Sequence, residues 1–378
     1  MKIAIIRKEC GFFKGGAERY CMALCTELAS LGHSVYVLSN KCEKDVPANI
    51  KHIYVPVNNR SSSTKNLSFH QNCQKVLKEI RPDWSYALSR TYPVDAFRVS
   101  DPLHARWMKI RYPNRFVRRL QELNPRHRTI LSLEDGIFDP QNTRVIITNS
   151  KLARKHVTNA YNFPDHRIHV VYNGVDLDRF KPETAEAKKE PMRVNSEITL
   201  LFVSMDFKRK GLDFLLKSLF SLQKEKLSFK LVVVGNGKRK KYEKKVRELG
   251  LGKCVEFVGE VSNVETYYRT ADIFVLPTRY DPFANVCLEA LACGTPIITT
   301  ENNGASELIT ESVDGYVIRG SSGIVEELSK KIYDFYRLQI EKKKEMKIQA
   351  RLKAENYSVK QNALRTIDIF ERELEKRR

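Results

Sequence analysis

Apolar runs are short throughout these 378 residues, and none approaches the roughly 20 that a membrane-crossing helix needs. The apolar start, Met1–Arg7, is too short for a secretion signal and reads as a buried strand, which points to the cytoplasm. Cysteine occurs at 10, 21, 25, 42, 73, 254, 287 and 293, never as Cys-x-x-Cys, and no His/Cys grouping has the spacing of a zinc site. Cys21 and Cys25 stand one helical turn apart beside Ala and Leu, so they read as reduced core thiols rather than as a disulfide or metal pair. No internal repeat is present, which excludes a repeat array. Acid is scarce: 45 Asp and Glu against 66 Lys and Arg leave a net charge of +21. That balance implies an anionic partner, nucleic acid or an acidic membrane surface, unless it serves only to solvate the surface.

What is present organises into two α/β halves. At roughly 100–200 residues per domain the length suits two domains. In the first half, Lys2–Arg7 reads as a strand, Gly15-Gly16 opens a helix to about Leu31, and Ser34–Leu38 is the next strand. Short apolar strands alternating with helices imply a parallel sheet. Lys51–Val57 and Val145–Thr148 continue the strands, Gln71–Ile80 is helical, and Asn58–Lys65, polar and Ser-rich, reads as a mobile loop. Residues 181–197 are rich in Pro, Lys, Glu and Ala and form the expected linker between a first domain, 1–180, and a second, 198–355; the end, 356–378, is helical. Two such halves make a cleft, with ligands at the carboxyl ends of the strands.

The most informative segment is Tyr280–Pro296, which sets Asp281 and Glu289 eight positions apart around a loop and a short apolar helix. A helix N-terminus offers unpaired N–H groups and partial positive charge, which suit a phosphate. An acid just before the helix reaches sugar hydroxyls, and one inside it reaches a ribose. Together these describe a nucleotide sugar. Lys208-Arg209-Lys210, after the strand 198–204, adds three cations suited to a diphosphate leaving group. Gly15-Gly16 and Gly235-Asn236 sit at strand ends, where glycine permits close backbone approach to the nucleotide or sugar, although a tight turn also explains them. Asp176-Leu177-Asp178 imitates a metal-binding DxD, but it follows Asn173-Gly174-Val175, where an Asp serves as a helix cap; no metal is expected. Asp101 and His104 follow a short strand, Ala96–Ser100, from which they can touch the transferred sugar or the acceptor hydroxyl, although a lone His also serves as a structural residue. Residues 106–128 hold seven arginines, one lysine and one acid. Arg106, Trp107, Lys109, Arg111, Arg115, Arg118 and Arg119 suit an anionic membrane. The same composition also fits RNA, or an ordinary helix with its apolar face of Phe116, Leu120 and Leu123 on the core.

The chain resembles the retaining glycosyltransferases of family 4, which have the GT-B fold, and within them the lipopolysaccharide-core glucosyltransferase I branch. The resemblance rests on Gly15-Gly16-Ala17-Glu18-Arg19, Asp101-x-x-His104-x-x-Trp107, Thr148-Asn149-Ser150, Asn173-Gly-Val-Asp176, Phe207-Lys-Arg-Lys-Gly211, Asp281-Pro-Phe-x-Asn-Val-x-Leu-Glu289 and Asn303-Gly-Ala-x-Glu307. It implies two Rossmann-like domains, the first for the acceptor and the second for the donor, with the terminal helix crossing back to the first. It also implies catalytic roles for Asp101, His104, Arg209, Lys210 and Asp281, and a donor site lined by Gly15, Gly16, Gly235, Asn236, Phe283, Ala284, Asn285, Val286 and Glu289. Asp281 stands where the family commonly has Glu, and Met205 where it has Arg. Arg209 is expected to supply that charge. The implied reaction transfers a hexose with retention, glucose from UDP-glucose, to a lipopolysaccharide-core or related membrane-associated glycan, without metal or other cofactor. The implied location is the inner face of the plasma membrane, reached as a peripheral protein; nucleic acid is disfavoured as a partner. A nucleotide-sugar epimerase, or a transferase of another glycan pathway on the same fold, is the alternative, with a basic nucleic-acid-binding protein ranked behind both.

Overall fold

The computed structural model describes residues 1–11, 16–42, 47–182, 197–320 and 322–377. Gly15 and most of the expected linker therefore lie outside the described residues. The chain divides into two compact units, Met1–Gly174 with Val359–Arg378, and Val175–Ser358.

Unit 1 holds β1 (Lys2–Ile6), β2 (Glu9–Cys10), α1 (Gly16–Ser30), β3 (Ser34–Ser39), β4 (Lys41–Cys42), β5 (Ile50–Tyr54), α2 (Ser62–Ile80), β6 (Trp84–Ala87) and β7 (Val94–Val99). It continues through α3 (His104–Arg111), α4 (Arg115–Glu122), α5 (Pro125–Ile137), β8 (Thr143–Thr148), α6 (Lys151–Ala160) and β9 (Ile168–Val170). The seven-stranded sheet runs β5-β3-β1-β6-β7-β8-β9, every pair parallel. Helices cover both faces, so β1 has no polar side: Ile3 and Ile5 enter one core cluster, Ala4 and Ile6 the other. The order reverses between β1 and β6, a switch point.

The segment read as a Ser-rich loop, Asn58–Lys65, is instead half helix, because Ser61 and Thr64 form a reciprocal cap: Thr64 N donates to Ser61 Oγ (3.0 Å) and Ser61 N to Thr64 Oγ1 (2.9 Å). The seed is polar, so apolar periodicity did not reveal it.

Unit 2 holds β10 (Ile198–Val203), α7 (Leu212–Lys224), β11 (Phe229–Val234), α8 (Arg239–Glu248), β12 (Val255–Gly259), α9 (Val264–Thr270), β13 (Ile273–Leu276), α10 (Asn285–Ala292), β14 (Ile297–Thr300), β15 (Gly315–Ile318), α11 (Ile324–Arg337) and α12 (Ile340–Glu355). Its parallel sheet runs β12-β11-β10-β13-β14-β15, a doubly wound order that reverses between β10 and β13. Residues 175–180 are tied to this unit: Val175 N donates to Tyr357 O (2.9 Å), and Arg179 pairs with Glu265 (3.0 Å). Asp176 caps a turn here rather than a helix, accepting from Asp178 N (3.1 Å) and Arg179 N (3.0 Å).

The last helix, α13 (Val359–Glu375), returns to unit 1, where Phe370 stacks on Trp84 at 4.8 Å and Asn362 accepts from the Tyr20 hydroxyl at 2.7 Å. No helix among the described residues is long and apolar enough to cross a membrane.

Candidate functional site

The switch point of unit 2 is where the loops after β10 and β13 meet. They are stitched backbone to backbone: Arg279 N and the Thr278 hydroxyl both donate to Arg209 O (2.9 and 3.1 Å). Gly211 makes this approach possible. Its φ is +80°, and a Cβ there would lie 2.0 Å from Pro277 O. The stitch brings Arg209 Nη1 to 2.5 Å and Lys210 Nζ to 2.6 Å from one oxygen, Asp281 Oδ2. The other oxygen, Oδ1, accepts from Phe283 N (3.1 Å).

Burial alone would raise the Asp281 carboxyl, but the charges of Lys210 and Arg209 outweigh it and hold the group below the usual carboxylate range. Burial lowers the Lys210 ammonium; Asp281 counters only in part because Arg209 beside it adds repulsion, so the group ends below the usual lysine range. Arg209 ends above its ordinary value, since Asp281 and Asp206 more than offset its burial. Arg209 also pairs with Asp206 (Nε to Oδ2, 3.3 Å), so two cations and two carboxylates meet at this point.

Immediately beyond, α10 begins with no side-chain cap at Ala284. Asn303, fully buried, fixes this corner: its Oδ1 accepts from Ala284 N (3.0 Å) and its Nδ2 donates to Thr299 Oγ1 (2.9 Å). Asn285 and Val286 open the helix, and their N–H groups lie in its first turn. Glu289, one turn in and 7 % exposed, accepts from the Tyr268 hydroxyl at 3.0 Å. After β11, Gly235 has φ +112° and passes so close to the β10 loop that a Cβ would lie 1.9 Å from Ser204 O. Asn236 is exposed next to it.

In unit 1 the residues singled out by sequence make other contacts. Asp101 is exposed and lies 3.8 Å from Arg7 Nη1; Arg7 is buried, donates to Leu88 O (3.0 Å) and pairs with Glu18 (3.0 Å). His104 is buried, and its Nε2 lies 2.9 Å from His127 Nδ1 with the rings stacked at 5.0 Å. Burial lowers His104 to about 4, so the ring is neutral at pH 7. Sequence reasoning missed Arg7 and Glu134. The Glu134 carboxylate, 2 % exposed, accepts from His104 N (2.7 Å), Ala105 N (3.2 Å), Arg90 Nη2 (2.8 Å) and the Tyr161 hydroxyl (2.9 Å), and so caps α3. Gly16 opens α1.

The basic segment forms α3, α4 and the start of α5. Asn114 caps α4, accepting from Phe116 N (2.9 Å) and Val117 N (3.2 Å). No residue of α4 is buried. Phe116, Leu120 and Leu123 are 79, 67 and 71 % exposed, so this apolar stripe is not on the core. Arg106, Lys109, Arg111, Arg115 and Arg119 are exposed, while Trp107 and Arg118 are half-buried. Among the described residues no group of three or more His, Cys, Asp or Glu is arranged to hold a metal ion.

Comparison with known proteins gives the family and the fold. Residues 14–179 match the family described as Glycosyltransferase Family 4, and residues 183–353 the family described as Glycosyl transferases group 1. The chain is 28 % identical over 314 residues to the lipopolysaccharide glucosyltransferase WaaG of Escherichia coli (strain K12), covering 80 % of this chain and 82 % of that protein. It shares the fold of the WaaG crystal structure, with a TM-score of 0.81 at 24 % identity over 97 % of this chain and 99 % of that one. It shares the fold of Anabaena Alr3699/HepE solved with UDP and glucose, with a TM-score of 0.72 at 17 % identity over 98 and 99 % of the two chains.

Proposed function

The chain belongs to the group 1 and family 4 glycosyltransferases and is related to those of the lipopolysaccharide core, and on that premise we propose that it transfers glucose from UDP-glucose, with retention, to a lipopolysaccharide-core or similar membrane-bound glycan. The observation that carries this reading is the Asp281 carboxylate shared by Arg209 and Lys210 at the switch point of unit 2. Without ligand the two cations neutralise the acid. A diphosphate brought to the same point engages them and leaves Asp281 available to the sugar hydroxyls. The first turn of α10, at Asn285 and Val286, adds N–H donors to the phosphates, and Glu289 takes the ribose. Gly235 and Asn236 border the nucleotide.

The chemistry is a front-face displacement. The bond from the sugar C1 to the diphosphate oxygen breaks as the acceptor oxygen bonds to C1 on the same face. The acceptor proton passes to the departing phosphate oxygen. Arg209 and Lys210 stabilise the negative charge that grows on the diphosphate, so no divalent ion is required. Asp101 and His104 serve the acceptor side. The basic α3–α4 segment supports a location at the anionic inner face of the plasma membrane, with α4 dipping its apolar stripe into the interface.

The test is UDP release from UDP-glucose in the presence of a heptose-terminated lipopolysaccharide acceptor, with proton NMR of the product. The expected product has an α-anomeric glucose. A β-anomer, or no acceptor-dependent release, contradicts the reading.

A further inference from the structure

Half of the cysteines gather at one place. Cys10, Cys21 and Cys25 lie in one core cluster of unit 1, with Cys42 packed against it. Within that group one pair stands out. β2 and β4 form a separate two-stranded parallel sheet in which Cys10 and Cys42 are register partners. Their sulfurs are 3.0 Å apart. Adjacent strands lie about 4.8 Å apart, within the roughly 4.4–6.8 Å between Cα atoms that a disulfide bridges. Closing the sulfurs to the bonded distance of about 2.05 Å needs a movement of about 1 Å. The two partners also differ in access. Cys10 is fully buried, whereas Cys42 is half-buried. Cys21 and Cys25, both fully buried on α1, lack that access.

We propose that Cys10 and Cys42 form a reversible dithiol–disulfide pair that ties β2 to β4 and slows the enzyme when oxidised. Cys42 is the entry point. Its thiolate attacks one sulfur of glutathione disulfide, forming a mixed disulfide and releasing one glutathione. The Cys10 thiolate then attacks the Cys42 sulfur and expels the second glutathione. Two protein thiols are oxidised and one glutathione disulfide is reduced to two glutathione molecules. Burial, with the hydrogen bond to Cys42, pushes the Cys10 thiol above its ordinary range. The consequence for turnover rests on the function proposed above. β2 and β4 continue from the carboxyl ends of β1 and β3, the edge at which parallel sheets bind ligand.

The experiment incubates the reduced full chain in glutathione buffers of rising disulfide content, alkylates the remaining thiols and maps peptides by mass under non-reducing conditions. Turnover is read on the same samples. The expected result is a Cys10–Cys42 linked peptide before any other, six alkylated cysteines, and a several-fold fall in turnover that dithiothreitol restores. Cys42→Ala and Cys10→Ala each abolish the linked peptide and the fall. Another pair oxidising first, or a mixed disulfide at Cys42 that never closes, overturns the pair. A linked peptide with unchanged turnover overturns its regulatory role. A reduced protein with no sugar transfer at all counts against the proposed function instead, while the linked peptide still decides whether the pair exists.

Discussion

Lys210 Nζ sits 2.6 Å from Asp281 Oδ2, with both side chains only 9 % exposed, and Arg209 Nη1 reaches the same oxygen at 2.5 Å. Arg209 also pairs with Asp206 at 3.3 Å, so an incoming diphosphate competes with two carboxylates for the two cations. The two sides of the pair therefore respond differently to substitution.

Lys210→Met removes a donor aimed at the departing diphosphate, and turnover falls about 10²–10³-fold. Asp281→Asn removes the carboxylate that both cations share, while Arg209 keeps Asp206 at 3.3 Å, so UDP affinity holds or tightens while sugar transfer falls. Steady-state UDP release and UDP titration separate the two. Equal weakening of UDP binding by both substitutions contradicts these roles.

Gly235 tests the backbone approach. Gly235→Ala puts a Cβ 1.9 Å from Ser204 O at φ +112°, forcing the loops after β10 and β11 apart. Gly250 also has positive φ, +67°, but a Cβ there meets nothing within 4 Å. Gly250→Ala should cost about 1–2 kcal/mol for the left-handed backbone alone. Gly235→Ala should cost more and also abolish nucleotide binding. Chemical denaturation of the two variants gives the comparison.

Acid weakens the fold through identifiable groups. Asp281 is held below its unfolded value of about 3.9, so the folded state binds fewer protons. Its contribution is complete above that value and is lost as pH falls through the lower folded one. His104 titrates at about 4 when folded, against about 6.5 unfolded. Between those values the unfolded chain again holds the extra proton, and stability declines as pH drops. His104→Gln should flatten the decline by up to about 1.4 kcal/mol per pH unit, while His156, also held at about 4, keeps its share. Urea midpoints from about pH 4 to 7 measure it. An unchanged slope contradicts the assignment to His104.

The exposed stripe on α4 predicts a separation of binding from folding. Phe116→Ser with Leu120→Ser should leave stability within about 0.5 kcal/mol per site. The pair should abolish co-sedimentation with vesicles containing anionic phosphatidylglycerol. Arg115→Glu with Arg119→Glu should do the same without touching the apolar stripe. Retained vesicle binding, or RNA binding in its place, counts against a membrane role.

Many strands were legible in the sequence because those buried on both faces read as apolar runs, as in Leu231–Val234 and Ile273–Leu276, whereas Trp84–Ala87, interrupted by Ser85, was not. Asp281 and Glu289 were legible because loop, helix and both acids are contiguous. Arg7 and Glu134 were not. Glu134 acquires its meaning from the N–H of His104, thirty positions earlier, and Arg7 from Leu88 O, eighty-one positions later. No local pattern announces such contacts. The stripe of α4 was visible as a pattern but not as a surface, since Phe116, Leu120 and Leu123 at helical spacing serve a core equally well. Only their exposure decides between the two.

The donor site in unit 2 is the central claim, and calorimetric titration with UDP tests it most directly, using wild type, Lys210→Met and Glu289→Ala. The predicted result is one site per chain of about micromolar affinity, weakened by both substitutions. No binding to the wild type, or binding indifferent to both substitutions, contradicts the site.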